Sequence, residues 1–305
     1  MRNTFAIYVA ALMACFALPA PLTAQEVLTL QIQVDKEQFD LGEPVVLYVT
    51  LRNAGSQAVE VLHFLEPEFG YAEYLITGPD GEELKFRPSA LVDHPEPYQL
   101  LAPGEEIQGE AKIFFGGAGW TFANPGTYNV RAAYLGTGGV VSNTITISVL
   151  QPTSAAARAA AQQFINSEEV GYFLLFEGGD HLTEGMQRLE LVAQNYSQTP
   201  HAAYANYALG NNLLQDFANF RTNSMRAADP QRAIAYLERA QSNTVSLYQT
   251  MHTHLSLARG YTLIGNSERA TAVRGQLNNL ISVRYPAFRR LADEIIQRRG
   301  IIINN

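Results

Sequence analysis

Ile145-Thr146-Ile147-Ser148-Val149-Leu150-Gln151-Pro152-Thr153-Ser154-Ala155-Ala156-Ala157-Arg158-Ala159-Ala160-Ala161 holds the change on which the reading of the fold turns. Apolar and polar side chains alternate up to Val149. After Pro152 the alternation stops, and an alanine-rich run begins behind Thr153-Ser154, a linker with helix-start signals. Upstream, the same period of two runs through Leu28, Leu30, Ile32 and Val34. Downstream, apolar residues recur every three or four positions, as in Leu182, Met186, Leu189, Ala193 and Tyr196. Period two belongs to half-buried strands and period 3.6 to amphipathic helices. The pattern therefore predicts a multidomain chain, all-β over residues 25–151 and all-α over residues 152–305.

The 305 residues suffice for two domains with their own cores, and 47% hydrophobic with 16% charged residues fits a folded chain. Residues 1–24 read as a signal peptide: Arg2, the apolar run Phe5–Leu18, the breakers Pro19 and Pro21, and a small residue at Ala24 for cleavage. The expected location is periplasmic or extracellular. A rival reading, a lipoprotein signal ending at Cys15, is weakened by Met13 and by the apolar residues that follow the cysteine. Cleavage after Ala24 removes the only cysteine, which excludes disulfides and thiol chemistry. No later stretch is apolar and long enough to span a bilayer. Of the formal charge of −8, residues 26–150 carry 17 acidic and 6 basic side chains, and residues 221–305 carry 12 arginines and 5 acids. Two solvated faces are the plainer reading of an acidic head and a basic tail, the alternatives being that they attract each other or face different partners, and nucleic acid is not expected as one.

Strands are expected at Val27–Val34, Val45–Arg52, Ala58–His63, Tyr71–Thr77, Glu83–Arg87, Ile107–Phe115, Thr127–Leu135 and Val140–Val149, separated by Gly/Pro/Asn/Asp turns. Eight such strands without intervening helices predict an antiparallel sandwich. Pro125-Gly126-Thr127-Tyr128-Asn129-Val130-Arg131-Ala132 resembles the entry to strand F of immunoglobulin-like domains. The resemblance implies that Tyr128 bonds back to the preceding loop and that Val130 points into the core. Phe39 to Leu47 resembles the first turn of bacterial immunoglobulin-like and macroglobulin-like domains. Gly116-Gly117-Ala118-Gly119-Trp120 lacks the Lys-Ser/Thr of a phosphate loop and reads as a flexible connection with Trp120 capping the core.

Helices are expected at Glu168–Glu177, Thr183–Tyr196, His201–Phe217, Pro230–Ala240, Thr244–Ile264, Ser267–Arg284 and Pro286–Arg299, with an extra segment around Ala218–Ala228. Leu257-Ala258, Tyr261, Gly265 and Ala270, and again Leu209-Gly210 with Ala233 to Ala240, resemble tetratricopeptide repeats. Arg274 and Leu277 depart from that pattern, and Pro286 comes about a turn late. The resemblance implies an array of helical hairpins whose exposed ridges bind an extended segment or another protein.

No motif carries chemistry. There is no His-Glu-x-x-His, Gly-x-Ser-x-Gly or Ser-x-x-Lys. His252 and His254 diverge on a helix by about 200° and make a poor chelate. Glu66-Pro67-Glu68 and Asp93-His94 lie in loops with nothing to complete a calcium site. Gly179-Asp180-His181 is the best lone polar candidate, with Asp180 as a helix cap the plainer reading. No catalytic residue, cofactor or metal is assigned. The expectation is a non-enzymatic exported protein–protein interaction protein, an adaptor or scaffold with an envelope protein as partner, binding through the helical repeat. Candidate contact residues are Arg284, Arg289, Arg290, Arg298 and Arg299. The alternative is a secreted inhibitor or a ligand- or glycan-binding protein acting through the loops Glu66–Tyr71, Ser89–Tyr98 and Gly116–Trp120. A hydrolase with a cryptic site at His181 or His252 ranks last.

Overall fold

A computed structural model describes residues 28–95, 97–220 and 222–303, the side chains of 298–303 excepted. The signal-peptide reading and Cys15 lie outside the described residues. A β-rich region is followed by a helical one.

The β region runs β1 (Leu28–Gln33), β2 (Gln38–Asp40), β3 (Val46–Asn53), β4 (Val59–Leu62), β5 (Ala72–Thr77), β6 (Glu83–Lys85), β7 (Tyr98–Leu101), β8 (Glu106–Lys112), β9 (Phe115–Gly116), β10 (Gly119–Trp120), β11 (Gly126–Tyr134), β12 (Val140–Val141) and β13 (Ile145–Leu150). One sheet has the order β1-β3-β8. A second has the order β2-β13-β11-β5-β6, with β12 beside β11, and β4 and β7 form a separate ribbon. Leu28, Leu30 and Ile32 share one buried core with Tyr74, Ile76, Val130 and Ile147 of the second sheet. Tyr128 donates to Asn124 O at 2.8 Å, closing the loop that feeds β11.

Three details differ from the expectation. The pairing is not antiparallel throughout, because β2 and β13 are parallel. After β1 the chain steps across to the second sheet, so β2 arrives in the direction of β13. The strand expected at Val140–Val149 is broken between β12 and β13. At the break the Asn143 amide accepts from Ile32 N at 2.9 Å and donates to Ile32 O at 3.0 Å, standing in for a strand at the edge of β1. Tyr98–Leu101, which falls at the end of an expected loop, is β7.

The helices are α1 (Ala155–Ile165), α2 (Glu168–Phe176), α3 (Thr183–Asn195), α4 (Pro200–Leu213), α5 (Pro230–Gln241), α6 (Leu247–Leu263), α7 (Ser267–Arg284) and α8 (Arg289–Ile303). Oxygen side chains of Ser154, Ser167, Thr199, Asp229, Ser246 and Asn266 cap six of them. The extra segment is a β-hairpin, β14 (Phe217–Asn219) and β15 (Ser224–Arg226). From α3 to α7 each helix packs on the next.

The helices do not stand apart from the sandwich. The outer face of β1-β3-β8 lies under them, so Tyr48 of β3 shares a core with Leu247, Met251 and Phe288. This third layer explains why Val46, Leu47, Tyr48 and Val49 are buried in succession. It also explains why α4 and α6 are buried almost all round, whereas α5 and α7 bury one stripe. At Gly171 in α2, a β-carbon would lie 2.2 Å from Cδ2 of the buried Phe115 ring. Helix propensity favours alanine there by about 1 kcal/mol. The contact reverses the sign, and Gly171→Ala is expected to lower stability by about 1–3 kcal/mol, the cost of overpacking. Urea unfolding of the two proteins checks this. Equal or higher stability of the variant would contradict the close approach.

Candidate binding site at the junction of sheet and helices

Strand β8 reads Glu106-Ile107-Gln108-Gly109-Glu110-Ala111-Lys112. Its odd residues enter the sandwich core. Its even residues point the other way, toward helices rather than water. Arg290 of α8 reaches Glu106 at 3.0 Å. His252 of α6 lies 2.9 and 3.1 Å from the two oxygens of Glu110. Lys112 reaches Glu177, just past α2, at 2.7 Å, and the Tyr248 hydroxyl donates to the same carboxylate at 2.6 Å. Burial ranks these pairs. The Arg290 side chain is 61% exposed, so its bridge contributes about 0–1 kcal/mol. His252 is 0% exposed with Glu110 at 12%, and leaving one member of such a buried hydrogen-bonded pair without its partner costs about 1–3 kcal/mol.

Further bonds close the same seam. Trp120 donates to Ser167 O at 3.2 Å, its ring wedged among Phe114, Phe115 and Phe164. The β9–β10 loop is thus a hairpin that places Trp120 against α1 and α2, and not only over the sandwich core. Asp35 accepts from Leu247 N at the start of α6. Burial raises the Asp35 carboxyl above its ordinary value, against the pull of that amide and of Lys36. His201 donates from Nε2 to Leu41 O at 2.8 Å. Burial lowers its pKa, outweighing that bond and the nearby Glu43 and Asp40. Burial also lowers His254, which bonds Thr250 O within its own helix.

Beside Lys112 the seam opens into a groove of about 230 Å³, lined by Phe86, Pro88, Val92, Phe115, Leu175 and Phe176. Pro67, Glu68, Ser89 and Ala90 complete the lining. In the lining Phe176 is 56% exposed and Val92 48%, so apolar surface faces solvent, and Leu91 beside Val92 is 75% exposed. The loops Glu66–Tyr71 and Ser89–Tyr98 meet here, through Val92 N donating to Glu68 O at 2.8 Å. The Gly116–Trp120 loop runs alongside the segment before Ser89, with Gly117 N donating to Arg87 O at 2.8 Å. Next to the groove, the Phe64 and Phe69 rings stack at 4.3 Å, with His63 and His94 packed on Phe64 at 4.0 and 4.4 Å.

The other candidates are placed differently. Asp180 does not cap α3, whose N-cap is Leu182 without a side-chain bond. It binds Arg226 at 2.5 Å and Asn212 at 2.7 Å, anchoring the β14–β15 hairpin. Its carboxyl is lowered because these bonds, with the charges of Arg226 and His181, overcome the opposing effect of burial. His181 stacks on Phe217. His252 and His254 point to different neighbours, and no group of three or more metal-ligating side chains occurs among the described residues. Arg284 bonds Thr244 O, Arg289 bonds Asp293 and Ser282, and Arg290 bonds Glu106 and Glu294. The side chains of Arg298 and Arg299 lie outside the described residues. The junction groups Glu110, Lys112 and Glu177 escape sequence reasoning, since alternation in β8 marks a polar face without saying what covers it. No helix among the described residues is long and apolar enough to cross a membrane.

No family model matches the chain, and no curated protein matches it. Among solved structures it is similar to a CARDB domain from Pyrococcus furiosus, at 16% identity over 43% of this chain and all of that one, with a TM-score of 0.25. Spo0M, a sporulation control protein from Bacillus subtilis, is 14% identical over 49% of this chain and 55% of its own, with a TM-score of 0.26. β-Glucosidase 3B from Thermotoga neapolitana is 18% identical over 41% of this chain and 16% of its own, with a TM-score of 0.25. Likeness this slight carries no argument about what the chain does.

The buried histidine sets a pH dependence. His201 has a folded pKa below the ordinary 6.5, so the unfolded chain binds the extra proton first. Its contribution is therefore complete above pH 6.5 and is lost as pH falls through the lowered value. Asp35, with a raised pKa, acts oppositely in a window opening upward from 3.8. The difference in melting temperature between the wild type and His201→Gln, followed from pH 7 downward, isolates the histidine. The wild type is expected to lose relative stability below pH 6.5. A difference independent of pH would contradict the assignment.

Proposed function

We propose that the chain is a non-enzymatic exported protein that binds a protein partner, with the junction groove as its contact surface. One observation carries the reading: an apolar groove, with Val92 and Phe176 exposed in its lining and Leu91 exposed beside them, where two sandwich loops meet the end of α2. Contiguous exposed apolar surface of this kind marks interaction sites. In this reading the β region is an immunoglobulin-like sandwich, supported by two facing sheets and the Tyr128–Asn124 bond. The helices form a tetratricopeptide-like array, supported by hairpins packed in series. The inner row of such an array usually holds the partner. Here α4 and α6 lie against the protein's own sandwich, which favours the groove over the helical ridges. Export rests on the N-terminal sequence.

A photo-crosslinking residue placed singly at Leu91, Phe176, Leu263 and Val283 in the host cell tests this choice. The last two are exposed apolar positions on α6 and α7. Adducts with one cellular protein are expected from Leu91 and Phe176 and not from the helical pair. Adducts from Leu263 or Val283 alone would return the contact to the helical ridges and overturn the reading.

A further inference from the structure

The surroundings of the groove specify the chemistry of its occupant, given that the groove is the contact surface. Residues 26–150 carry 17 acids against 6 bases, so an approaching segment meets a negative field. Glu68 lines the groove itself, and Glu66 and Asp93 lie on the same two loops. Glu68 and Asp93 take part in no ion pair among the described residues. The nearest lysine, Lys112, is committed to Glu177 at 2.7 Å. Against these carboxylates stands an aromatic cluster. Phe69 stacks on Phe64 with an interplanar angle of 19°, and Tyr71 lies 6.4 Å beyond Phe69. All three rings are half-buried, leaving part of each to solvent. A cation over such a face gains about 0.5–1 kcal/mol at an exposed site and more when desolvated. Adjacent carboxylates add to the attraction. The groove beyond is apolar and of a size for one or two side chains. Ser89 Oγ, in its lining, has no hydrogen-bond partner among the described residues and can serve a backbone amide.

We propose that the groove and the neighbouring aromatic cluster form one composite site for a cationic polypeptide segment. An apolar side chain fills the groove between Val92, Phe115 and Phe176. An arginine or lysine within a few residues of it lies against Phe69 and Tyr71 and is paired by Glu68 and Asp93.

Selection of phage-displayed random dodecapeptides on the immobilised whole protein tests this without knowledge of the natural partner. The selected peptides are expected to be enriched in Arg or Lys close to Leu, Phe or Trp. They should lose about tenfold or more in affinity toward Phe176→Asp, the loss of one anchoring contact. They should also weaken toward the double variant Glu68→Lys, Asp93→Lys, whose mature fold is checked by circular dichroism. Peptides that are apolar but uncharged or acidic, and that depend on Phe176 alone, would overturn the cationic assignment and leave the groove as contact surface. No selected peptide, or peptides indifferent to Phe176→Asp, would overturn both.

Discussion

The even-numbered face of β8 is the constraint on which the rest depends. A strand carrying Glu106, Gln108, Glu110 and Lys112 on one side is ordinarily the solvated edge of a sandwich. Here the helices supply a partner for each charge, Arg290, His252 and Glu177 in turn. Burying that face without those partners would leave uncompensated charge, at several kcal/mol per ion. The helices therefore have one position on the sheet. Tyr48 and Trp120 fill the space that the charges leave, and the apolar core runs without interruption from the sandwich into the helical layer.

This arrangement changes what the helical region offers. α4 and α6 face the sandwich, and His201 and Asn206 of the one and Gln249, Thr250, His252 and His254 of the other are buried. These faces of α4 and α6 are taken up by the protein itself. What stays open is the margin of the contact, where α2 ends and the loops of the sandwich do not quite meet it. The αL conformation of Glu177, at φ 58°, turns the chain away just past Phe176 and leaves that ring at the rim. The groove is a consequence of how the two layers dock.

Much of the architecture was readable from residue periodicity, because each signal was local. The caps at Ser154, Thr199 and Asp229 and the breaks at Gly178-Gly179 and Gly265-Asn266 set helix ends to within a few residues, and α7 spans Ser267–Arg284 as expected. The signals that failed are those whose meaning lies elsewhere in the chain. Asn143 interrupts a strand because Ile32, 111 residues away, needs its amide. Asp180 looks like a cap until Arg226 arrives on a hairpin too short to show a period. The polar face of β8 has the alternation of a solvated strand. Only the helical layer, from positions far along the chain, makes Glu110 and Lys112 part of a junction. The groove likewise joins two loops and a helix end that no sequence spacing links.

The central claim is that sandwich and helices form one cooperative body held through this junction. Trp120, the only tryptophan, sits in the seam and reports on it. Equilibrium unfolding of the whole protein in urea, followed by Trp120 fluorescence and by helical circular dichroism, tests the claim directly. The account predicts one transition with coincident midpoints for the two probes. A Trp120 transition completed while the helical signal is still intact would mean that the layers separate before they unfold, and would contradict it.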